Sequence, residues 1–306
     1  MVETLWKRYS KNSNHLKTFI EPDNKQDLVR IKIFAQNINS DNNGSPLVGP
    51  HSAAESYFEI ARVGASGSIL GHSELRARSG ETDLDVRSKF LGMTLSGLVP
   101  LVCVGETLNI RYPGDKDGPE NRIAANEFVT KQIKDIFGDL DPEIVRGTVV
   151  AYEPRWAIGT DKSATPEQIK EAHDAIKNAF AELYGKDIAK TVRVLYGGSA
   201  NPKNVKEIFS IRNVDGFLVG SASASENGKD FYKMGKIMQE MMNEKLLESK
   251  GNRLPILAGN LKLLRRDLLP EEIVDDYQQL NDLDRKKLQI ILSPPNTLIQ
   301  EFANAF

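Results

Sequence analysis

Eight short apolar runs, each separated from the next by a longer stretch with helical spacing, constrain this chain more than any other feature. They are Ile31–Gln36, Gly67–Leu70, Val99–Val104, Gly147–Tyr152, Val192–Tyr196, Gly216–Val219, Pro255–Ala258 and Leu288–Leu292. Runs this short and this rich in Val, Ile and Leu read as parallel strands buried on both faces. Between them, Pro119 to Phe137 keeps Ile123, Phe128, Ile133, Ile136 and Phe137 at helical spacing. Thr165-Pro166-Glu167-Gln168 supplies an N-cap, a proline at the first helical position and an early acid, and the helix is expected to stop at Gly185. Asn201-Pro202 opens another helix, and Phe231 to Leu247 is the longest of the later ones. Strand then helix, repeated eight times, predicts an α/β fold: a (β/α)₈ barrel or a doubly wound open sheet. Residues 28–306 are assigned to a single domain of this kind, and residues 1–27 to an N-terminal extension, helical or disordered.

Composition narrows the classes of function. Forty basic and 42 acidic side chains leave a net charge of −2, which provides no electrostatic footprint for nucleic acid or for an anionic membrane. The lone cysteine, Cys103, excludes an internal disulfide framework and a cysteine-rich zinc site. No apolar run approaches the ~20 residues that cross a bilayer, and the first residues lack a secretory pattern. A soluble, cytoplasmic protein is expected.

In barrels of parallel strands the working residues sit where the strands end. Reading only those positions finds Gly71-His72-Ser73-Glu74 after the second run and Glu153-Pro154-Arg155-Trp156 after the fourth. Gly197-Gly198-Ser199 and Gly220-Ser221 follow the fifth and sixth, and Gly259-Asn260-Leu261-Lys262 the seventh. The glycine turns let backbone N–H groups approach an anion, and Gly220-Ser221 stands where a short helix can add the positive end of its dipole. Lys262 offers a positive charge to a dianion. Glu153 is a carboxylate able to take a proton from carbon, and His72 a group able to polarise a carbonyl oxygen; such proton transfer is worth ~10²–10⁴ in rate.

These residues carry a family resemblance. Gly71-His72-Ser73-Glu74, Cys103-Val104-Gly105-Glu106, the block from Ala151 to Pro166, Tyr196-Gly197-Gly198-Ser199 and Asp215 to Gly220 resemble triosephosphate isomerase in order and spacing. Ala35-Gln36-Asn37 is similar to that family's third strand. The family's Gly-Asn-x-Lys strand comes first, whereas here Gly259-Asn260-Leu261-Lys262 lies near the C-terminus and the strand ending Ser293-Pro294-Pro295 comes last. The chain therefore resembles a circularly permuted triosephosphate isomerase, with family strands three to eight first and strands one and two after them. The resemblance implies a permuted TIM barrel, with a permutation linker over residues 248–254 that can extend roughly 23 Å at ~3.3 Å per residue.

The resemblance further implies an aldose–ketose isomerase of glycolysis and gluconeogenesis, interconverting dihydroxyacetone phosphate and D-glyceraldehyde 3-phosphate through an enediol. Triosephosphate isomerase is itself the standard case of acid–base tuning, so the roles come with the likeness. Glu153 would be the base, His72 the electrophile, and Lys262 with Asn260 the groups that steady the oxyanion. Residues 154–164 would form a closing lid with a phosphate contact from Gly159, and Ser199, Gly220 and Ser221 would donate N–H groups to the phosphate. Glu74, Cys103 and Glu106 would support them. A small sugar phosphate is the implied partner, and neither a metal nor an organic cofactor is implied.

Several positions depart from the family. Leu75 stands where an arginine is usual, Ser221 replaces the second glycine of a pair, Asp161 takes a glycine position at the lid tip, and Leu261 a common tryptophan position. Val48 and Pro50 fall where a threonine and a glutamate usually reach across a dimer interface, so a homodimer with an altered contact is expected. Two other functions stay open at this point. One is isomerisation of a four-carbon ketose phosphate, motivated by Asp161 and the altered loop; the other is a non-catalytic binder of phosphate ligands or a scaffold.

Overall fold

The computed structural model describes residues 31–38, 57–114, 120–158, 163–243, 253–262 and 270–306. Residues 1–27, most of the 248–254 linker, Val48, Pro50, Gly159 and Asp161 therefore lie outside the described residues.

The eight runs form eight strands. From the N-terminal side these are β1 (Lys32–Ala35), α1 (Tyr57–Arg62), β2 (Gly67–Leu70), α2 (Ser73–Ser79), α3 (Asp83–Leu95) and β3 (Val99–Val104). Then come α4 (Leu108–Arg111), α5 (Arg122–Phe137), α6 (Pro142–Val145), β4 (Val149–Tyr152), α7 (Pro166–Thr191) and β5 (Arg193–Tyr196). The remainder is α8 (Val205–Phe209), β6 (Gly216–Val219), α9 (Lys229–Asn243), β7 (Ile256–Asn260), α10 (Pro270–Asp275), β8 (Gln289–Ser293) and α11 (Ile299–Ala305). Each strand pairs in parallel with the next, and β8 closes onto β1 through Lys32 opposite Ile291 and Ile33 opposite Leu292, giving a closed barrel. Closure rules out the doubly wound alternative. It also removes the exposed edges an open sheet must protect.

Strand periodicity explains why both faces are apolar. Alternate residues point to opposite sides of the sheet. In β3, Leu101 and Cys103 join Phe34, Ile69, Ala151, Leu195, Ala258 and Ile291 in a core inside the barrel. Val102 and Val104 point the other way, into the layer between sheet and helices with Val150, Val194, Ile133 and Phe180. The interior is filled by fitting large residues to small ones: a Cβ at Gly67 would lie 2.6 Å from the Phe34 ring and 2.2 Å from the Val99 carbonyl oxygen.

Most helix signals hold. Thr165 and Gln168 form a reciprocal capping box, with the Gln168 N–H on Thr165 Oγ1 at 3.3 Å and the Thr165 N–H on Gln168 Oε1 at 2.9 Å. Two boundaries differ from the expectation. The chain does break at Gly185 (φ 81°), but it turns helical again to Thr191, where Ile188 and Ala189 are buried against the barrel. Asn201-Pro202 begins a turn rather than the helix itself; Asn201 N–H bonds Asn204 Oδ1, and α8 starts at Val205.

Candidate active site

Because all strands run the same way, the ends of β2, β4, β5, β6 and β7 surround one opening. There a pocket of about 670 Å³ is lined by His72, Glu153, Asn260, Lys262, Ser199, Gly220 and Ser221 among others. Residues from five strand ends, 190 positions apart in sequence at the extremes, thus meet in one cavity.

Glu153 follows β4 directly and is 3% exposed. Its backbone N–H bonds the Val104 carbonyl at 2.7 Å, which extends the β3–β4 ladder by one residue and fixes where the side chain leaves the sheet. Two glycines make room. A Cβ at Gly105 would sit 1.8 Å from the Glu153 carbonyl oxygen, and one at Gly197 would sit 2.8 Å from Glu153 Cγ. The carboxylate is held at both oxygens: Oε2 accepts the Ser73 N–H at 2.9 Å, and Oε1 lies 3.3 Å from His72 Nε2.

His72 is the N-cap of α2, and its Nδ1 accepts the Glu74 N–H at 3.3 Å. A ring nitrogen that accepts carries no proton, so this bond selects the Nε2–H tautomer and aims that proton into the pocket. The Asn260 amide lies 3.4 Å from the same Nε2. Asn260 ends β7 and is 6% exposed, with its backbone carbonyl accepting from Ser223 Oγ at 3.1 Å. Lys262 forms an ion pair with Glu74, and that hydrogen bond holds the Glu74 carboxyl below the usual carboxylate range. The pair keeps the ammonium on the side of the pocket where His72 lies.

Cys103 sits inside the barrel and is fully buried; burial, and after it the Glu153 carboxylate, push its thiol well above the ordinary range. Glu106 is also fully buried. Its Oε1 accepts from Arg111 Nε at 2.8 Å, Tyr152 Oη at 3.0 Å and Trp156 Nε1 at 2.8 Å. Burial, and secondarily Glu106, raise the Tyr152 hydroxyl well above its ordinary value, so it stays a donor. This cluster anchors the segment after Glu153, whose Arg155 N–H also bonds the Glu106 carbonyl at 3.1 Å. Across the pocket, Ser199 Oγ donates to the Ala157 carbonyl at 3.2 Å.

The Gly220-Ser221 turn after β6 lines the same pocket as Glu153. Gly220 accepts the N–H groups of Ser223 and Ala224, each at 3.1 Å. Among the described residues only Asp139 and Asn227 combine a side chain with positive φ, so Ser221 occupies its turn without backbone strain. Of the predicted site residues in the described part of the chain, His72, Glu74, Glu153, Ser199, Gly220, Ser221, Asn260 and Lys262 line this pocket, whereas Cys103 and Glu106 are fully buried outside its lining. Leu75 is half-buried on α2. Sequence reading did not anticipate Ser73, whose backbone holds Glu153, nor Arg111 beneath Glu106. A backbone donor has no residue signature, and Arg111 follows no motif.

Comparison with known proteins agrees with the geometry. The family model described as triosephosphate isomerase matches residues 14–239, well over half the chain. A triosephosphate isomerase of Thermus thermophilus is 41% identical over 175 residues, 57% of this chain and 66% of that protein. One from Acetivibrio thermocellus is 40% identical over 206 residues, 67% and 76% of the two chains, and one from Bacteroides fragilis 41% over 197 residues, 64% and 72%. The chain thus spans about two thirds to three quarters of the length of these relatives. By family model, relatives and barrel alike, it belongs to the triosephosphate isomerase family.

Proposed function

We propose that this pocket interconverts dihydroxyacetone phosphate and D-glyceraldehyde 3-phosphate, with Glu153 moving the proton. The observation that carries the reading is the approach of Glu153 Oε1 to His72 Nε2, 3.3 Å, in a pocket that also holds Asn260 and Lys262. Glu153 takes a proton from the hydroxymethyl carbon of the ketose, and the electron pair moves to the carbonyl oxygen to give an enediolate. The Nε2–H of His72 faces that oxygen, with the Asn260 amide and Lys262 ammonium beside it. Donors already oriented toward a developing oxyanion need no reorganisation during the step. His72 gives its Nε2 proton to that oxygen and takes up the proton of the neighbouring hydroxyl. As the carboxylic acid returns its proton to the former carbonyl carbon, the new carbonyl forms at the carbon first deprotonated, and no atom is gained or lost.

Backbone N–H groups at Ser199, Gly220 and Ser221, with Gly159 from the lid, hold the phosphate and so place the reacting carbons beside Glu153. Glu106 steadies the lid stem through Trp156. The lid over residues 154–164 keeps water from the enediolate. An assay of unmodified protein with glyceraldehyde 3-phosphate and with a four-carbon ketose phosphate tests the substrate; higher kcat/KM for the four-carbon compound would contradict it.

We also infer a circular permutation within one barrel domain over residues 28–306. Two observations support it: the matched family stretch ends at residue 239, ahead of β7, and the strand carrying Asn260 is seventh in the chain. A chain rejoined from Phe306 to residue 28 and opened within 248–252 should keep kcat within about tenfold, since β7 and β1 present their starts, Ile256 and Lys32, to the rim away from the pocket. Loss of folding would contradict this. A homodimer with an altered contact is proposed from Leu75.

A further inference from the structure

We propose that Tyr277 is a positioning residue for the phosphate-binding turn at Gly220-Ser221, an inference that rests on the phosphate reading given above. Tyr277 lies just after α10, more than 50 residues from the turn, and is 6% exposed. Its hydroxyl donates to the Ser223 carbonyl at 2.7 Å in a buried bond. Burial, and after it Asp276, raise this phenol above its ordinary value, so the proton stays in place for the bond. The ring lies close against the same loop: a Cβ at Gly228 would fall 2.9 Å from both Cδ1 and Cε1 of Tyr277. At φ 61° Gly228 accommodates the close approach, and Gln279 Nε2 donates to the Asn227 carbonyl beside it.

Ser223 is therefore gripped on two sides. Its hydroxyl lies within 2.7 Å of the Gly220 carbonyl and 3.1 Å of the Asn260 carbonyl, while its own carbonyl takes the Tyr277 proton. The N–H of Ser223 also returns to Gly220. Displacing this peptide would tilt the Gly220 and Ser221 N–H groups. It would also shift the turn against the strand end that carries Asn260. Tyr277 touches no reacting atom; it sets the distance between the phosphate grip and the oxyanion side of the pocket.

Tyr277→Phe keeps the ring and removes only the donor. We expect the inhibition constant of inorganic phosphate and the KM for glyceraldehyde 3-phosphate to rise together by about three- to tenfold. Turnover of unphosphorylated glyceraldehyde should stay unchanged, a split that general loosening of the fold would not produce. Gln279→Ala, at the exposed end of the same contact, should raise the phosphate constant by a smaller factor and serves if Tyr277→Phe does not fold. If phosphate inhibits the unmodified protein but both variants leave its constant unchanged, the positioning role is overturned and the phosphate reading stands. If phosphate does not inhibit the unmodified protein, the phosphate reading falls and this inference with it. Equal loss on glyceraldehyde and on its phosphate would also overturn the role.

Discussion

Three glycines near the pocket give a graded test of how the barrel positions its carboxylate. Replacing Gly105 by alanine sets a Cβ 1.8 Å from the Glu153 carbonyl oxygen, with Glu153 Cα at 3.3 Å. Ordinary carbon–oxygen contacts begin at about 3.3 Å, so β3 and Glu153 must separate by roughly 1.5 Å. Neither side can swing away, because both are backbone. A displacement of ~1 Å at a reacting group costs about 10² in rate, so Gly105→Ala should lower kcat by ~10²–10³. Overpacking adds a loss of about 1–3 kcal/mol in stability. At Gly197 the new Cβ meets Glu153 Cγ at 2.8 Å, and a side chain can rotate away; a fall of about tenfold is expected. At Gly220 the nearest atom is Lys262 Cε at 3.8 Å, ordinary contact, so Gly220→Ala should change kcat less than about threefold. Steady-state kinetics on glyceraldehyde 3-phosphate, with urea unfolding of each variant, gives both quantities. Full activity in Gly105→Ala, or a larger loss at Gly220 than at Gly105, would refute the reasoning.

Other consequences follow from the buried groups. Glu106→Gln keeps an acceptor for Trp156 and Tyr152 but leaves Arg111 with Glu120 as its remaining carboxylate; urea unfolding should show a loss of about 1–3 kcal/mol at unchanged m-value. A change below half of that lower bound would contradict the role given to the cluster. Cys103 should not react with a thiol reagent at pH 8 until the protein is unfolded, since its folded pKa is raised from 9.0. The sign follows: its contribution to stability is full below the unfolded value and is lost as pH rises toward the folded one. Cys103→Ala should flatten that alkaline decline, and prompt labelling of the folded protein would contradict the assignment. The altered contact inferred from Leu75 predicts a dimer that dissociates on dilution, measured by light scattering; a tight dimer at nanomolar concentration would contradict it.

What could be read from the chain follows the physics of each element. Strands buried on both faces are apolar without interruption, so Val99–Val104 is legible to the residue, whereas β4 starts two positions later than Gly147 because Gly147 turns with φ 74°. Thr165-Pro166 announces α7 because capping is local. The far end is not local: burial of Ile188 and Ala189 restores the helix after Gly185, and no neighbouring residue signals it. The site divides in the same way. Glu153, His72, Asn260 and Lys262 stand at strand ends, where position in the repeat points to them. Ser73 acts through its backbone, and Tyr277 reaches the Ser223 carbonyl from a segment 54 residues away, so neither leaves a pattern to read.

The base assignment to Glu153 is tested most directly by following the exchange of the substrate's carbon-bound proton with D₂O by NMR, in unmodified protein and in Glu153→Gln. The carboxamide keeps the shape and cannot accept the proton. Exchange and isomerisation should fall together by ~10²–10⁴ with KM within a few-fold of its original value. Deuterium entering the triose phosphate at an undiminished rate in Glu153→Gln would contradict it.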